Sequence, residues 1–111
     1  MEHDYSGFHA EYATFECALE VSEGQLVCMH DSGKIAPSVG GNYPIGIARQ
    51  VRDGYATVQV RGYVKAKHDG TLGLGYKHIV TVDPTKVKRD NVNGIMVQVL
   101  DCTEDEVGIL F

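Results

Sequence analysis

From residue 14 onward, apolar and polar side chains alternate with a period of two. Phe15, Cys17, Leu19 and Val21 interleave with Glu16, Ala18 and Glu20, as expected of a strand with one face turned to a core. Ser22-Glu23-Gly24 interrupts the pattern. The run QLVCMH then predicts a short strand, and Asp31-Ser32-Gly33-Lys34 a tight turn with a glycine free to take positive φ. Lys34-Ile35-Ala36 predicts a return strand ended by Pro37, and VGGNYP a loop. Residues 45–51 read as a strand, Arg52-Asp53-Gly54 as a hairpin turn, and residues 55–67 as one long strand. On that strand Tyr55, Thr57, Gln59, Arg61, Tyr63 and Lys65 share a polar and aromatic face opposite Ala56, Val58, Val60, Gly62, Val64 and Ala66.

His68-Asp69-Gly70 turns the chain again. Strands are expected over 78–82, briefly around Val87, over 95–100 and over 107–111. Asp83-Pro84-Thr85-Lys86 and residues 91–94 connect them. No window carries an apolar stripe of period 3.6, so the chain is expected to be all-β.

The octet GIARQVRD, residues 46–53, returns as GIMVQVLD, residues 94–101, with Gly, Ile, Gln, Val and Asp matching without gaps. The surrounding order of strand, tight turn, strand, loop, strand, turn, strand also repeats. This predicts two pseudo-repeated β-meanders, at about 20–62 and 72–111. Neither is expected to bury a sheet face alone, and together they would form a small β-barrel or compact β-sandwich. The shared glycine is expected where backbones approach closely. Residues 14–111 thus read as a single domain, preceded by an extended N-terminal arm, residues 1–13, whose aromatics Tyr5, Phe8 and Tyr12 offer contact area to a partner.

Composition sharpens this picture. The 111 residues include 13 glycines and carry a net charge of −5. An acidic chain is repelled by phosphate backbones and anionic lipid, so neither nucleic acid nor membrane is an expected partner. The start, MEHDYSGFHAEY, has no apolar core of the kind a secretory signal needs. Cys17, Cys28 and Cys102 are odd in number and widely spaced, which reads as three small buried hydrophobes in a reducing compartment.

Candidate chemistry is sparse. His3, His9, His30, His68 and His78 lack metal-ligand spacing, and His30 and His68 adjoin turns where a solvated imidazole is expected. GLGYK lacks the spacing of a phosphate-binding loop, and the acidic run around Thr103 reads as a solvated turn. Ser22, Ser32 and Ser38 sit in turns without a nucleophile elbow. No catalytic, cofactor-binding or metal site is expected, and the chain does not read as an enzyme.

Residues 20–111 resemble the phage capsid decoration, or cement, proteins. The resemblance rests on Gly24, Asp31-Ser32-Gly33-Lys34, Ile45-Gly46-Ile47, Asp53-Gly54, Val60-Arg61-Gly62 and the closing segment GIMVQVLDCTEDEVGILF. It implies a structural virion protein, assembled in the host cytoplasm, that binds the outer surface of the shell through the major capsid protein, as a homotrimer and without cofactors. Two other classes remain open: another virion component, such as a head-fibre base or tail protein, and a cellular β-barrel that binds a small ligand or carbohydrate. Tyr55 and Tyr63, sharing a strand face, are the candidate platform or interface residues, with Tyr5, Phe8 and Tyr12 on the arm.

Overall fold

The computed structural model of the protein describes residues 10–111. Tyr5 and Phe8 lie outside the described residues. The alternation read from the sequence becomes ten strands. The first five are β1 (Glu11–Cys17), β2 (Leu26–Asp31), β3 (Lys34–Pro37), β4 (Gly46–Arg52) and β5 (Tyr55–Arg61). The second five are β6 (Tyr63–His68), β7 (Gly75–Asp83), β8 (Lys86–Arg89), β9 (Ile95–Cys102) and β10 (Glu106–Leu110). The fold is all-β, and the barrel occurs twice. One closed sheet runs β1-β3-β2-β4-β5 and the other β10-β6-β8-β7-β9.

Each barrel is built the same way. A hairpin joins its second and third strands, and another joins its fourth and fifth. The first strand pairs parallel with the third, Glu16 beside Lys34 in one copy and Lys67 beside Lys86 in the other. It also pairs antiparallel with the fifth, Glu16 opposite Tyr55 and Lys67 opposite Glu106. That double pairing closes the sheet and leaves neither barrel an open flank there. The repeat is therefore real in topology, but each copy has five strands rather than four and closes on itself.

The strand expected over 55–67 is split. Gly62 takes φ 105°, a conformation that side-chain-bearing residues avoid, and the chain leaves the first barrel there for the second. The buried Gln59 side chain holds the crossing: its amide nitrogen donates to the carbonyls of Arg61 (3.1 Å) and Tyr63 (3.2 Å), while its oxygen accepts from Arg49 Nε (2.8 Å). The apolar alternation runs through Gly62 unbroken, which is why the break is invisible in the pattern. The first strand also differs from expectation: it begins at Glu11 and ends at Cys17, although Val21 beyond it is still buried.

The turns match their sequences. Asp53 and Gly54 both have positive φ, 52° and 80°, the geometry of a two-residue hairpin turn that follows strand twist. Gly46 and Gly94 both mark close approaches. A Cβ on Gly46 would strike the Gln59 carbonyl, and one on Gly94 would lie 2.6 Å from the Ile79 nitrogen.

Inward positions fill two cores. Val27, Ile35, Ala48, Ala56 and Val58 pack with Val21 in the first, flanked by Phe15, Cys17, Val51 and Val60. Val64, Ala66, Ile79, Val87, Val97, Val99, Val107 and Ile109 form the second. Leu26 and Ile47, facing each other on the outer side of β2 and β4, belong to the second cluster rather than the first. Through them the outer face of one barrel is packed against the other.

Backbone and hydroxyl groups complete that junction. The Leu26 amide donates to the Pro84 carbonyl at 2.6 Å. The segment 38–42 lies along β7 where β9 no longer pairs with it: Gly41 N donates to Thr81 O (2.8 Å), and Thr81 N to Asn42 O (3.1 Å). The buried hydroxyls of Ser38 and Thr81 are 2.7 Å apart. Buried polar groups in a junction like this need such partners to be tolerated.

Candidate functional site

Two side-chain clusters draw attention on chemical grounds, and both resolve into structural clasps. The first is His68 beside Cys102. His68 is buried rather than solvated, because the first strand of the second barrel continues one residue into the core before the turn. Its Nε2 lies 3.8 Å from Cys102 Sγ, a pairing that elsewhere activates a thiol. Here the Gly70 amide donates to Nδ1 at 3.2 Å, so Nδ1 is the acceptor and Nε2 carries the proton, which it donates to the Thr103 carbonyl at 2.7 Å. Neither ring nitrogen is available to take a proton from the thiol. The thiol itself donates to the carbonyls of Thr103 (3.4 Å) and Leu72 (3.5 Å). This arrangement pins the 68–72 turn to the β9–β10 connection.

The second cluster joins Tyr63 on β6 to Asp101 on β9, the two strands that flank β10. Their side chains meet across β10, the phenol donating to Asp101 Oδ2 at 2.6 Å. They cross above Gly108, where a Cβ would strike the Tyr63 phenol and lie 2.6 Å from Asp101 Oδ1. Asp101 is thus a strand residue with a fixed partner rather than part of a solvated acidic turn.

These contacts revise the aromatic surface read from sequence. Tyr63 is half-buried and clasped to Asp101, and it belongs to a different barrel from Tyr55, so the two do not share one strand face. The Gly62 crossing separates them. Tyr55 is exposed beside a shallow depression of about 250 Å³ lined by Thr14, Gln50, Arg52, Ala56 and Thr57. Tyr12 is exposed on β1. The cysteines also differ from expectation: Cys28 is buried, but Cys17 and Cys102 are only half-buried. Burial, with the neighbouring Glu16 charge, pushes the Cys17 thiol above its ordinary value, the opposite direction from an activated thiol.

The larger apolar surface is elsewhere. On the outside of β7 and β9, Tyr76 is 71% exposed and Met96 62%, with Leu74 just before β7 and Val92, 89% exposed, at the tip of the loop before β9. Tyr76 and Met96 are diagonal neighbours, since Tyr76 faces Gln98 and His78 faces Met96. On the first barrel, Met29 and Tyr43 are exposed beside an open groove of about 270 Å³ lined by Cys28, Met29, Asn42, Tyr43 and Ile45. Sequence reasoning passed over these residues. Met96 carries a legible signal, because it falls on the outward parity of a strand whose inward positions are Ile95, Val97 and Val99.

Electrostatics on this surface are local. Asp83 accepts from the Thr85 amide and hydroxyl, both at 2.9 Å, and those bonds hold its carboxyl below the usual range. Asp90 accepts from the amides of Asn93 and Val92, which lowers it likewise. Both are turn-forming carboxylates. Among the described residues, no three His, Cys, Asp or Glu side chains converge as a metal site would require.

Compared with family models, curated proteins and solved structures, the chain matches none of them.

Proposed function

We propose that this protein is a structural virion component that binds the outer surface of a phage capsid and stabilises the shell. The observation that carries this reading is the surface itself. Tyr76 and Met96 are displayed on a closed barrel with Leu74 and Val92 in the loops beside them, while the His–Cys and Tyr–Asp pairs are consumed in holding strands together. Exposed apolar side chains of this kind mark interaction surfaces. The molecule is a slab, 39 × 31 × 19 Å, a shape suited to lying flat on a larger assembly. Closed barrels resist both stretching and edge-to-edge aggregation. The net charge of −5 keeps such a protein from competing for packaged nucleic acid. The resemblance of residues 20–111 to decoration proteins supplies the partner, the major capsid protein, and a trimeric arrangement in which three modest contacts reinforce one another.

The test is co-sedimentation with shells assembled from the cognate phage's major capsid protein. Saturable binding to mature shells, with raised resistance of those shells to heat, is the expected result. Shells that pellet without it would end this reading.

A second reading is favoured by one observation. Tyr55, with Gln50, Arg52, Thr14 and Thr57, combines an exposed ring with hydrogen-bonding groups around a shallow depression, as carbohydrate sites do. Glycan-array binding abolished by Tyr55→Ala would support it over the capsid reading.

A further inference from the structure

The junction between the barrels has a direction. The first barrel contributes the outer face of β2 and β4, with Leu26 and Ile47, and the segment 38–42. The second contributes the edge of β7 around Thr81 and the β7–β8 turn at Pro84. The copies share one topology, so each has a counterpart of the surface used by the other, and that counterpart is unused.

Strand pairing fixes the correspondences. Met29 faces Ile35 as Thr81 faces Val87, so Met29 stands where Thr81 does. Leu26 and Ile47 then stand where His78 and Met96 do. The segment 38–42 follows β3 as 90–94 follows β8. The second barrel therefore presents its own version of the docking face, the half-buried His78 with Met96, and beside it lie Tyr76 and the Val92 loop; Met96, Tyr76 and Val92 are open to solvent. The first barrel presents its own version of the receiving edge. Thr81 is fully buried under the segment 38–42, whereas Met29 is 47% exposed. Beside Met29, β4 pairs no further than Gly46 opposite Val27, and the groove lined by Cys28, Met29, Asn42, Tyr43 and Ile45 opens there.

We propose that the occupant of both unused surfaces is a second copy of this chain, docked head to tail. The 90–94 loop of one copy enters the groove beside Met29 of the next, as 38–42 lies beside Thr81 within the chain. The Leu74, Tyr76 and Met96 face then covers the next copy's first barrel, as Leu26 and Ile47 cover the second. Each chain carries one docking face and one receiving edge, so the contact is heterologous and closes into a ring or extends as a row, according to the rotation per step. The proposal stands on the barrel junction alone and does not depend on the capsid reading.

Sedimentation equilibrium of the full chain tests it, with Val92→Asp disabling the docking loop and Met29→Asp the receiving edge. Both positions are exposed, and circular dichroism confirms that each variant is folded. The wild type is expected to sediment as a multiple of its 12.1 kDa mass, and each variant alone as a monomer. Mixing the two variants is expected to give a dimer and nothing larger, because Val92→Asp keeps an intact edge and Met29→Asp an intact docking face. A monomeric wild type, association that survives both substitutions, or variants that fail to pair with each other would overturn the proposal.

Discussion

In the first barrel Phe15 on β1 faces Ala56 on β5; at the same place in the second, Ala66 on β6 faces Val107 on β10. One ladder step further, Ala48 faces Val58 while Val99 faces Ile109. At these places the first core thus sets one aromatic ring and a valine beside two alanines, and the second sets β-branched side chains beside one alanine. The two copies agree on where an inward residue is needed and disagree on its size: the ring present at Phe15 and missing at Ala66 is set against the larger Val107, Val99 and Ile109. Interiors are packed to constant density, so topology is retained while identities drift in compensating sets.

The sharpest way to break the comparison is to remove volume from the methyl-filled core. Ile109→Ala should cost about 2–5 kcal/mol, read by chemical denaturation, because Ile109 is fully buried in the second core. Adding volume to the ring-filled core should cost less: Ala56→Val, about 1–3 kcal/mol. Combining Ala56→Val with Phe15→Ala imitates the second barrel's pair. The double variant should therefore be more stable than the sum of the single losses requires, by about 0.5–3 kcal/mol. Strict additivity would show that the two side chains are not exchanging volume.

This compensation also explains how much could be read from the sequence. The period-two alternation and the turns at Ser32-Gly33 and Asp53-Gly54 were legible because turn chemistry is local. The duplication was legible as an order of elements, but the matching octets were a poor guide to register. The ladders to the fifth strands place Val51 with Cys102 and Ala48 with Val99, three residues from the alignment of Gly46 with Gly94, whereas the ladders to the second strands place Ile47 with Met96, one residue from it. The bulges at Arg49 in β4 and Leu100 in β9 fall at matching places, and the two registers differ because β9 carries Val97 and Gln98 between Met96 and Val99 where Ile47 and Ala48 are adjacent. The Gly62 crossing stayed hidden because the inward parity continues through it. The burial of His68 and the Tyr63–Asp101 clasp depend on strands 34 and 38 residues apart in sequence meeting, which no local pattern encodes. The exposure of Met96 is not settled by its outward parity either, since its counterpart Ile47 is buried only because the second barrel lies on it.

The junction itself gives a smaller effect. Thr81→Val keeps the shape but removes the hydroxyl that meets Ser38, leaving a buried group without its partner, and should cost about 1–3 kcal/mol. The matching position on the first barrel, Met29, is exposed, and Met29→Thr should be close to neutral in a monomeric background.

The smallest effect is acid sensitivity at the β7–β8 turn. Asp83 is held below the usual carboxyl range by the Thr85 amide and hydroxyl, so the unfolded chain takes up its proton first as pH falls. The stability it contributes is present above its unfolded value, about 4, and is lost as pH falls through the lower folded value. The side chain is at the surface, which keeps the effect small. Between about pH 6 and pH 3, wild-type stability should fall slightly more than that of Asp83→Asn, measured by thermal melts.

The most direct test is to map which strands touch by through-space proton contacts in solution NMR. Two separately closed barrels require contacts between β1 and β5, such as Ala13 with Val58, and between β6 and β10, such as Val64 with Ile109. Contacts joining β5 to β10, or β1 to β6, would mean strands of the two copies interleaved in a single sheet and would contradict this architecture.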